Sequence, residues 1–384
     1  MIQAATRLNQ VGSYYFAKKL ASLAEIDNET HPVINLGIGS PDLQPPSGII
    51  EHLSKDIASE SAHRYQSYYG ISELRMGFAQ FYQTHFNTKV NFENEVLPLI
   101  GSKEGIMHIS MSFVEDGDIV LVPNPAYPSY ASAAKLAGAQ VESYKLSSEH
   151  NWLPDFQALE TMDLQKVKLM WVNYPHMPTG AKASIEVFER LVAFGKKHNI
   201  LICHDNPYAF ILNENPLSIL SVPGAKETAL ELCSLSKCFN MAGWRVGAVI
   251  GHEDYISTIV KFKSNMDSGM FRPIQVAAAK ALALGEEWFE ALNLTYRKRY
   301  HEARKIFDHL NIKYETNGAG MFLWGRVPNE NGVFWSDLIL KQTNVFITPG
   351  IIFGSQGDKY LRISLCSKPE AFAKALERIK SLKL

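Results

Sequence analysis

The chain has 384 residues, 46% of them hydrophobic and 20% charged, so it can bury a large core and build more than one domain. Its formal net charge of −1 excludes the strongly basic surface that nucleic acid or an anionic membrane would attract. The 4 cysteines lack metal-ligand spacing and are too few for a disulfide framework, and residues 1–16 lack a secretory pattern. We therefore expect a cytoplasmic protein without a nucleic-acid or membrane partner.

The N-terminal region predicts a helix, a short strand and a shaped loop. The helix-like stretch begins at Tyr14, and residues 33–36 predict the strand. The following segment, residues 37–46, holds glycines and prolines that fix a tight loop. Two interpretations stay open for this loop: a plain connector, or a close approach of the backbone to a small ligand near Gly39.

Next comes a predicted strand, a glycine turn and a helix. Residues 94–100 read as the strand, Gly101-Ser102-Lys103-Glu104-Gly105 as the turn, and residues 106–113 as the apolar helix. This arrangement directs free backbone N–H groups and the helix dipole at one point and so forms an anion-binding site. Phosphate is the anion that we expect there. The alternative is that the turn only caps the helix.

From residue 119 to residue 250, short apolar runs alternate with helical patterns. This alternation predicts an α/β fold with a mostly parallel sheet covered by helices on both faces. In such sheets ligands bind beyond the carboxyl ends of the strands. Tyr127, Asp205 and Tyr208 each follow a predicted strand, so we expect them at one edge of the sheet.

The segment around Lys237 suggests a covalently held cofactor. A lysine amine can form a Schiff base with an aldehyde, and Ser234, Ser236 and Arg245 can donate charge-assisted hydrogen bonds to a phosphate dianion. Pyridoxal phosphate is the cofactor that fits these groups. The segment alone is also compatible with an ordinary solvated loop lysine.

Asp205 and Tyr208 have a use beside such a cofactor. A buried carboxylate keeps a pyridine nitrogen protonated, and the protonated ring then serves as the electron sink for a carbanion. Tyr208 can donate to the phenolic oxygen of the cofactor. Without Lys237 downstream, the simpler interpretation is a turn in which Asp205 caps a backbone amide.

Several segments together resemble the class I/II pyridoxal-phosphate-dependent aminotransferases of fold type I, especially the LL-diaminopimelate and broad-range amino acid aminotransferases. The segments that carry the resemblance are Leu36-Gly37-Ile38-Gly39-Ser40-Pro41-Asp42, Leu99 to Gly105, Asn173-Tyr174-Pro175 with Pro178-Thr179-Gly180, Cys203-His204-Asp205, Ser234 to Gly247, and Asn265 to Gly269. The resemblance spans about residues 14–362. It implies an enzyme that moves the amino group of an L-amino acid to a 2-oxo acid such as 2-oxoglutarate by a ping-pong mechanism.

The resemblance also implies roles for individual residues. It makes Lys237 the Schiff-base lysine and proton shuttle, Asp205 the partner of the ring nitrogen, and Tyr208 the partner of the phenolic oxygen. Arg362 matches the arginine that grips the substrate α-carboxylate. The further cofactor-binding positions are Ser102, Lys103, Tyr127, Asn173, Ser234, Ser236, Arg245 and, reaching a neighbouring subunit's cofactor, Tyr65. The further substrate-side positions are Tyr14, Gly39 and Asn265.

The same resemblance predicts the domain organisation. Residues 1–45 form an N-terminal arm, residues 46–285 a large cofactor domain, and residues 286–384 a small α+β domain that the arm joins. Arg362 would lie in the small domain, so domain closure could bring it to the substrate. The resemblance also suggests that Tyr65 and Asn265 act across a subunit boundary, which predicts a homodimer with twofold symmetry.

One departure from the family pattern concerns Met177, which occupies a position where the family usually has an asparagine. Met177 cannot donate the hydrogen bonds that the asparagine side chain would donate. We hypothesise that His176, Asn173 or a water molecule supplies part of the missing hydrogen bonding. The pKa of the Schiff base would then be altered. The departure also keeps open a second function, a pyridoxal-phosphate-dependent lyase that eliminates a β-substituent such as a thiol. For a distal substrate carboxylate, Lys263 and Arg272 are candidates, although solvated basic residues are an equally simple interpretation.

Overall fold

The structure is a computed structural model that describes residues 2–12 and 15–383. Within these ranges helices and strands alternate along the chain. The α-helices are α1 (Tyr15–Ile26), α2 (Ser47–Ile57), α3 (Ser72–Phe86), α4 (Ser102–Phe113), α5 (Ser129–Leu136), α6 (Phe156–Glu160), α7 (Ile185–His198), α8 (Leu235–Cys238), α9 (Glu253–Lys263), α10 (Arg272–Leu282), α11 (Glu286–His309), α12 (Gly332–Thr343) and α13 (Pro369–Ile379). The strands are β1 (Ile34–Asn35), β2 (Val96–Leu99), β3 (Ile119–Asn124), β4 (Gln140–Lys145), β5 (Val167–Asn173), β6 (Leu201–Asp205), β7 (Ala229–Ser234), β8 (Gly247–Ile250), β9 (Lys313–Tyr314), β10 (Phe322–Arg326), β11 (Val345–Phe346), β12 (Thr348–Pro349) and β13 (Tyr360–Ser364).

The large sheet has 7 strands in the order β2-β8-β7-β6-β5-β3-β4. The pairs from β4 to β7 are parallel, whereas β8 runs antiparallel to both of its neighbours. The segment between β7 and β8 contains only the 4-residue helix α8 and a short 3-10 turn, so it lacks the longer helix that usually connects parallel strands. The prediction of a mostly parallel sheet is confirmed, with one reversed strand.

Helices cover this sheet, and its central strands are accordingly apolar. All residues of β6 and β7 are buried, as a strand with both faces covered requires. Helix α7 begins where the sequence predicts, because the Ser184 hydroxyl accepts a hydrogen bond from the Val187 N–H at 3.4 Å. Its buried face includes Phe188, Leu191 and Val192.

A second sheet forms from the C-terminal part of the chain. Its order is β12-β13-β10-β9, and all its pairs are antiparallel. Nearby, β1 pairs in parallel with β11 through Ile34 and Val345, so the N-terminal segment packs with the C-terminal elements. Arg362 lies in β13, opposite Trp324 of β10 and Thr348 of β12.

The topology places several polar residues at one edge of the large sheet. Strands β3, β5, β6 and β7 point the same way, so their carboxyl ends lie side by side. Asn173, Asp205 and Ser234 are the last residues of β5, β6 and β7, and Tyr127 follows β3. Across the described ranges, every helix is too short or too polar to span a membrane.

Candidate active site

A cavity of about 470 Å³ opens at this edge of the large sheet. That volume is within the range of small-molecule and cofactor sites. Most of the predicted site residues line it together, although they come from distant parts of the sequence. Those residues are Gly39, Ser102, Lys103, Tyr127, Asn173, Asp205, Tyr208, Ser234, Ser236, Lys237, Arg245 and Arg362.

Three predicted residues are not in this lining. Tyr65 is 90% exposed on the surface of the chain. Asn265 is also exposed, and its amide donates to the backbone oxygen of Lys261 at 2.8 Å. Tyr14 lies outside the described residues. The roles of Tyr65 and Asn265 across a subunit boundary therefore stay predictions.

Lys237 projects from the short helix α8, which begins directly after β7. The Ser234 hydroxyl caps this helix by accepting from the Ser236 N–H at 3.2 Å. The Lys237 amine donates to the Gly39 carbonyl at 2.9 Å. Burial lowers the pKa of the amine, and Arg362 and Arg245 lower it further, against the opposing effects of Cys366 and Asp205. A larger share of the amine is thus neutral, the form that attacks an aldehyde.

Asp205 ends β6 with its carboxylate in the floor of the cavity. Its Oδ2 accepts a hydrogen bond from the Tyr130 hydroxyl at 2.7 Å. Its Oδ1 is buried and has no hydrogen-bond partner among the described residues. Burial raises the pKa of Asp205 to about 6, and the Tyr130 hydrogen bond limits that rise. The open oxygen is a ready acceptor for a protonated ring nitrogen.

Tyr130 is a residue of the candidate site that the sequence analysis missed. Its ring stacks on Trp171 with centroids 4.9 Å apart and an angle of 5°. The ring of Tyr127 meets it edge-on at 5.7 Å. The stacking fixes the hydroxyl toward Asp205, so Tyr130 positions this carboxylate and favours its charged form. The only sequence signal was its place three residues after Tyr127.

The variant Tyr130→Phe keeps the stacked ring but loses the hydrogen bond to Asp205. We expect the pKa of Asp205 to rise further, by about one unit or more, since a hydrogen bond to a charged group contributes about 1.5–3 kcal/mol. Affinity for pyridoxal phosphate, which falls as pH falls through this pKa, should then be lost at a higher pH. Titration of the cofactor-free protein with pyridoxal phosphate from pH 5 to pH 8 measures the shift.

The matched control is Tyr144→Phe, which removes another buried hydroxyl, the donor to the Trp171 carbonyl at 2.7 Å. This control should leave the pH dependence of cofactor affinity unchanged. The same pH dependence in Tyr130→Phe and in the wild type would contradict the positioning role.

The phosphate end of the cavity is formed by the start of α4 and by Arg245. The Ser102 hydroxyl is buried and lacks a hydrogen-bond partner among the described residues. Gly101 has φ +79°, and a Cβ there would lie 2.3 Å from a guanidinium nitrogen of Arg245. Arg245 itself donates to the Ser236 hydroxyl at 3.3 Å and to the Ala242 carbonyl at 2.8 Å. These donors and the N-terminus of α4 suit a phosphate dianion.

Tyr208 lies beside the cavity in a turn that follows β6. It is buried, and its ring meets that of Phe322 edge-on at 5.8 Å. Burial raises the pKa of the Tyr208 hydroxyl, while Arg362 lowers it and Asp205 raises it. The hydroxyl therefore stays protonated at neutral pH and can act as a hydrogen-bond donor.

Arg362 is buried at 3% exposure in the opposite wall of the cavity. One terminal nitrogen donates to the Gly37 carbonyl at 2.6 Å, and the other lies 3.5 Å from the Met177 sulfur. The Gly37 contact holds the guanidinium in one orientation. A planar guanidinium fixed in this way is suited to bidentate binding of a carboxylate.

The contacts around Met177 show which neighbouring side chain could take over the hydrogen bonds of the usual asparagine. The Met177 N–H donates to the Asn173 side-chain oxygen at 2.8 Å, and the Asn173 amide nitrogen donates to the Asp205 carbonyl at 2.6 Å. His176 is not in the cavity lining, and its Nδ1 is 2.8 Å from the Thr179 hydroxyl. Burial lowers the pKa of His176 to about 3, so it is neutral. Of the two residues, Asn173 is the one in the cavity lining.

A second set of polar residues, also missed from the sequence, lies behind the sheet edge around Glu231. Glu231 and His204 are fully buried, and the His204 Nδ1 is 2.7 Å from a Glu231 oxygen. The Tyr82 hydroxyl donates to Glu231 at 2.6 Å and the Ser218 hydroxyl at 2.9 Å. The other His204 nitrogen is 2.9 Å from the Tyr174 carbonyl. In the sequence, this set could have been found from Glu231, a charged residue within the mostly apolar strand β7.

The geometry of the cavity residues fits pyridoxal phosphate. The open Asp205 oxygen can accept a hydrogen bond from the ring nitrogen. The buried Ser102 hydroxyl and Arg245 can donate hydrogen bonds to the phosphate. Lys237 lies in the same lining with an amine whose pKa is lowered. Fold and cavity together define the class of protein as a fold type I enzyme dependent on pyridoxal phosphate.

The chain belongs to the family of class I and II aminotransferases, whose model matches residues 31–379. It is similar to the LL-diaminopimelate aminotransferase of Dehalococcoides mccartyi, with 37% identity over 98% of each chain. It is also similar to the enzyme of that name from Aquifex aeolicus, with 38% identity over 100% of each chain. Among solved structures, substrate-bound BacF from Bacillus subtilis has a TM-score of 0.95 and 35% identity, covering 100% of this chain and 98% of that one. The protein is thus a pyridoxal-phosphate-dependent transaminase.

Proposed function

We propose that this transaminase moves the amino group of an L-amino acid to a 2-oxo acid such as 2-oxoglutarate, with both substrates bound in the 470 Å³ cavity. The observation that supports this best is the convergence of Lys237, Asp205 and Arg362 on one cavity. When bound, pyridoxal phosphate supplies an aldehyde that holds the substrate amine and a protonated ring that accepts electrons. Because one cavity serves both substrates in turn, ping-pong kinetics follow.

The catalytic roles follow from the groups that each residue presents. Arg362 binds the substrate α-carboxylate and fixes the orientation of the α-carbon. The Lys237 amine removes the proton from that carbon as a general base and returns a proton as a general acid. Asp205 keeps the ring nitrogen protonated, and Tyr208 donates a hydrogen bond to the phenolic oxygen. The lowered pKa of Lys237 supports its part as a base.

The remaining predicted residues bind the cofactor or border the substrate. Tyr127 stacks on the ring, Gly39 borders the substrate through its backbone, and Asn173 lies beside the cofactor. The residues proposed for the phosphate are Ser102, Lys103, Ser234, Ser236 and Arg245. Their common place in the cavity lining supports this assignment.

We also propose a twofold-symmetric homodimer in which Tyr65 and Asn265 act in the partner's site. Tyr65 is 90% exposed, and Met266 and Phe271 are further exposed apolar side chains. The backbones of residues 66–67 and Gly269 adjoin, so these side chains belong to one region of the surface. An apolar region of this kind supports a protein interface.

The proposed domain division is an arm of residues 1–45, a large domain of residues 46–285 and a small domain of residues 286–384. The pairing of β1 with β11 supports joining the arm to the small domain, and the start of α11 at Glu286 supports the second boundary. A cytoplasmic location is supported by the cysteines, all of which are free and buried.

Product analysis tests transamination against the alternative of β-elimination. The protein loaded with pyridoxal phosphate is incubated with 2-oxoglutarate and, in turn, LL-diaminopimelate, aspartate, methionine, aromatic amino acids and a cysteine S-conjugate. We expect glutamate in a 1:1 ratio to the oxo acid formed from the donor, without release of ammonia. Ammonia with pyruvate from a cysteine conjugate, and no glutamate from any donor, would instead establish the lyase. The relatives' names do not favour the lyase.

A further inference from the structure

Between β1 and α2 the chain passes along the cavity without forming a helix or a strand. We call residues 37–44 the crossing segment. Its backbone N–H groups after Gly37 donate to no other group of the described residues. Helices and strands hold their own backbone through such hydrogen bonds, so the crossing segment depends on contacts from outside it.

Two carbonyl groups of the crossing segment contact the two side chains with the largest proposed roles. The Gly37 carbonyl accepts from a terminal nitrogen of Arg362 at 2.6 Å and from the Thr348 hydroxyl at 2.9 Å. The Gly39 carbonyl accepts from the Lys237 amine at 2.9 Å. A single residue separates the two glycines along the chain. A displacement of the crossing segment would therefore move the proposed base and the proposed carboxylate-binding group together.

The crossing segment lies directly against its neighbours at both glycines. A Cβ added to Gly37 would lie 2.5 Å from the Thr348 hydroxyl oxygen, and one added to Gly39 would lie 2.5 Å from the Phe322 ring. Only glycine allows a backbone to approach another group so closely. With so little free space, the positions of the two carbonyls depend on where the rest of the segment is fixed.

The second half of the crossing segment is fixed by an ion pair between Asp42 and Arg299. Nη1 of Arg299 donates to Oδ1 of Asp42 at 2.6 Å, and Nη2 donates to Oδ2 at 2.9 Å. The Asn240 amide also donates to the Gln44 carbonyl at 3.2 Å. The ion pair is the stronger of the two contacts, because it is charged and its two parallel hydrogen bonds fix the direction of the carboxylate.

Arg299 is a charged residue on the buried face of α11. Its side chain is 2% exposed, and Tyr296, Ala303 and Ile306 are buried on the same face of that helix. Among the described residues, Asp42 is the one carboxylate that forms an ion pair with it. Apolar residues of similar volume often stabilise a protein as well as a buried ion pair does. What the bidentate pair provides beyond stability is a single geometry.

We infer that Asp42 and Arg299 are positioning residues: their ion pair fixes the crossing segment, whose carbonyls in turn place Lys237 and Arg362. The inference rests on the proposed transaminase function and adds two residues that lie outside the cavity lining. The simpler interpretation is that the pair only joins the N-terminal part of the chain to α11. The two interpretations differ in what they predict for a variant that is folded.

The first test is Asp42→Asn, which keeps the shape of the side chain and one acceptor oxygen but removes the charge. Asp42 is 29% exposed, so the fold should tolerate this change, and far-ultraviolet circular dichroism checks it. We expect kcat for transamination to fall by about 10- to 100-fold, since a displacement of about 1 Å at reacting groups has effects of this size. KM for the amino donor should rise, because Arg362 moves with the segment.

A second readout needs no turnover and no phosphate. The cofactor-free protein is mixed with pyridoxal, the reaction is stopped with borohydride, and labelling of the peptide that contains Lys237 is followed by mass spectrometry. We expect the rate constant for Asp42→Asn to be about tenfold below that of the wild type. The comparison is made at high pH, where the rate has reached its plateau. The amine is then neutral in both proteins, so a difference reports its position and not its pKa.

A second variant and a matched control separate the geometry of the pair from its charge. Arg299→Lys keeps the positive charge but cannot form the bidentate contact, so we expect losses similar to those of Asp42→Asn. Combining the two changes should cost little more than either alone, as for residues that act as one unit. The control Asp337→Asn removes the partner of Lys19, 3.9 Å away in an ion pair between α12 and α1, and should change neither readout.

The outcomes distinguish the inference from the function on which it rests. Folded Asp42→Asn and Arg299→Lys proteins with the kcat and the pyridoxal labelling of the wild type would overturn the positioning role, even if both were less stable. The transaminase function would then stand. A wild-type protein that neither labels at Lys237 nor forms glutamate from any donor would instead overturn the proposed function, and the inference with it.

Discussion

The variant Lys237→Ala is expected to lower kcat/KM for transamination by at least about 10⁴-fold, because it removes both the amine that binds the aldehyde and the group that moves the α-proton. No second amine is positioned to replace it within the described lining. The other lysine of that lining, Lys103, has a proposed role at the phosphate. Glutamate formation from 2-oxoglutarate and the best amino donor measures the loss.

The fold should survive this substitution, since Lys237 is only half-buried and its side chain donates a hydrogen bond to the Gly39 carbonyl. Far-ultraviolet circular dichroism and the thermal transition serve as the check. Lys261→Ala, which removes an exposed lysine of α9, is the matched control and should keep full activity. Transamination by a folded Lys237→Ala protein at a rate near that of the wild type would refute the catalytic assignment.

A second large effect is expected on stability from Glu231→Ala. The substitution removes an acceptor shared by His204, Tyr82 and Ser218 and by the Ile219 N–H, all through hydrogen bonds of 2.6–3.0 Å. Each buried donor left without a partner costs about 1–3 kcal/mol, and a cavity adds to the loss. We expect the free energy of unfolding to fall by at least about 4 kcal/mol. Urea denaturation followed by tryptophan fluorescence measures it.

Two further variants test whether the loss of unfolding free energy is specific to the hydrogen bonds of Glu231 or follows the removal of any glutamate. Glu231→Gln keeps the shape and one acceptor oxygen, so it should cost less than Glu231→Ala. Glu93→Ala removes an exposed side chain and should change the free energy of unfolding by less than about 0.5 kcal/mol. A loss below about 1 kcal/mol for Glu231→Ala would show that its partners rearrange and that the network does not support the sheet edge.

The polar half of the site could be predicted from the sequence because its residues occur in short segments with local meaning. Ser234, Ser236 and Lys237 belong to one turn of chain between β7 and β8, and Ser102 begins the helix that follows β2. Each segment alone also allows a simpler interpretation, and their joint resemblance to one family decides between the two. The alternation of apolar runs and helical patterns likewise predicted the parallel sheet that brings them together.

Other features had no local pattern. Tyr130 and Asp205 are 75 positions apart, and Tyr82 and Glu231 are 149 apart, so their hydrogen bonds exist only because the sheet and its helices bring them together. The reversed strand β8 follows a connection that lacks a crossover helix. Tyr65 and Asn265 stay predictions, since their proposed contacts require a second copy of the chain.

The sequence by itself determined the family and the cofactor through the resemblance of several short segments to one family, because the groups that bind a phosphorylated aldehyde lie close together along the chain. Only the tertiary structure decided which apolar residues line the cavity. Phe16, Ile38 and Phe353 look in the sequence like ordinary core residues, and the same hydrophobic effect that buries a core residue also lines a pocket. Which of the two a side chain does depends on how distant elements pack around it, and no local pattern encodes that packing.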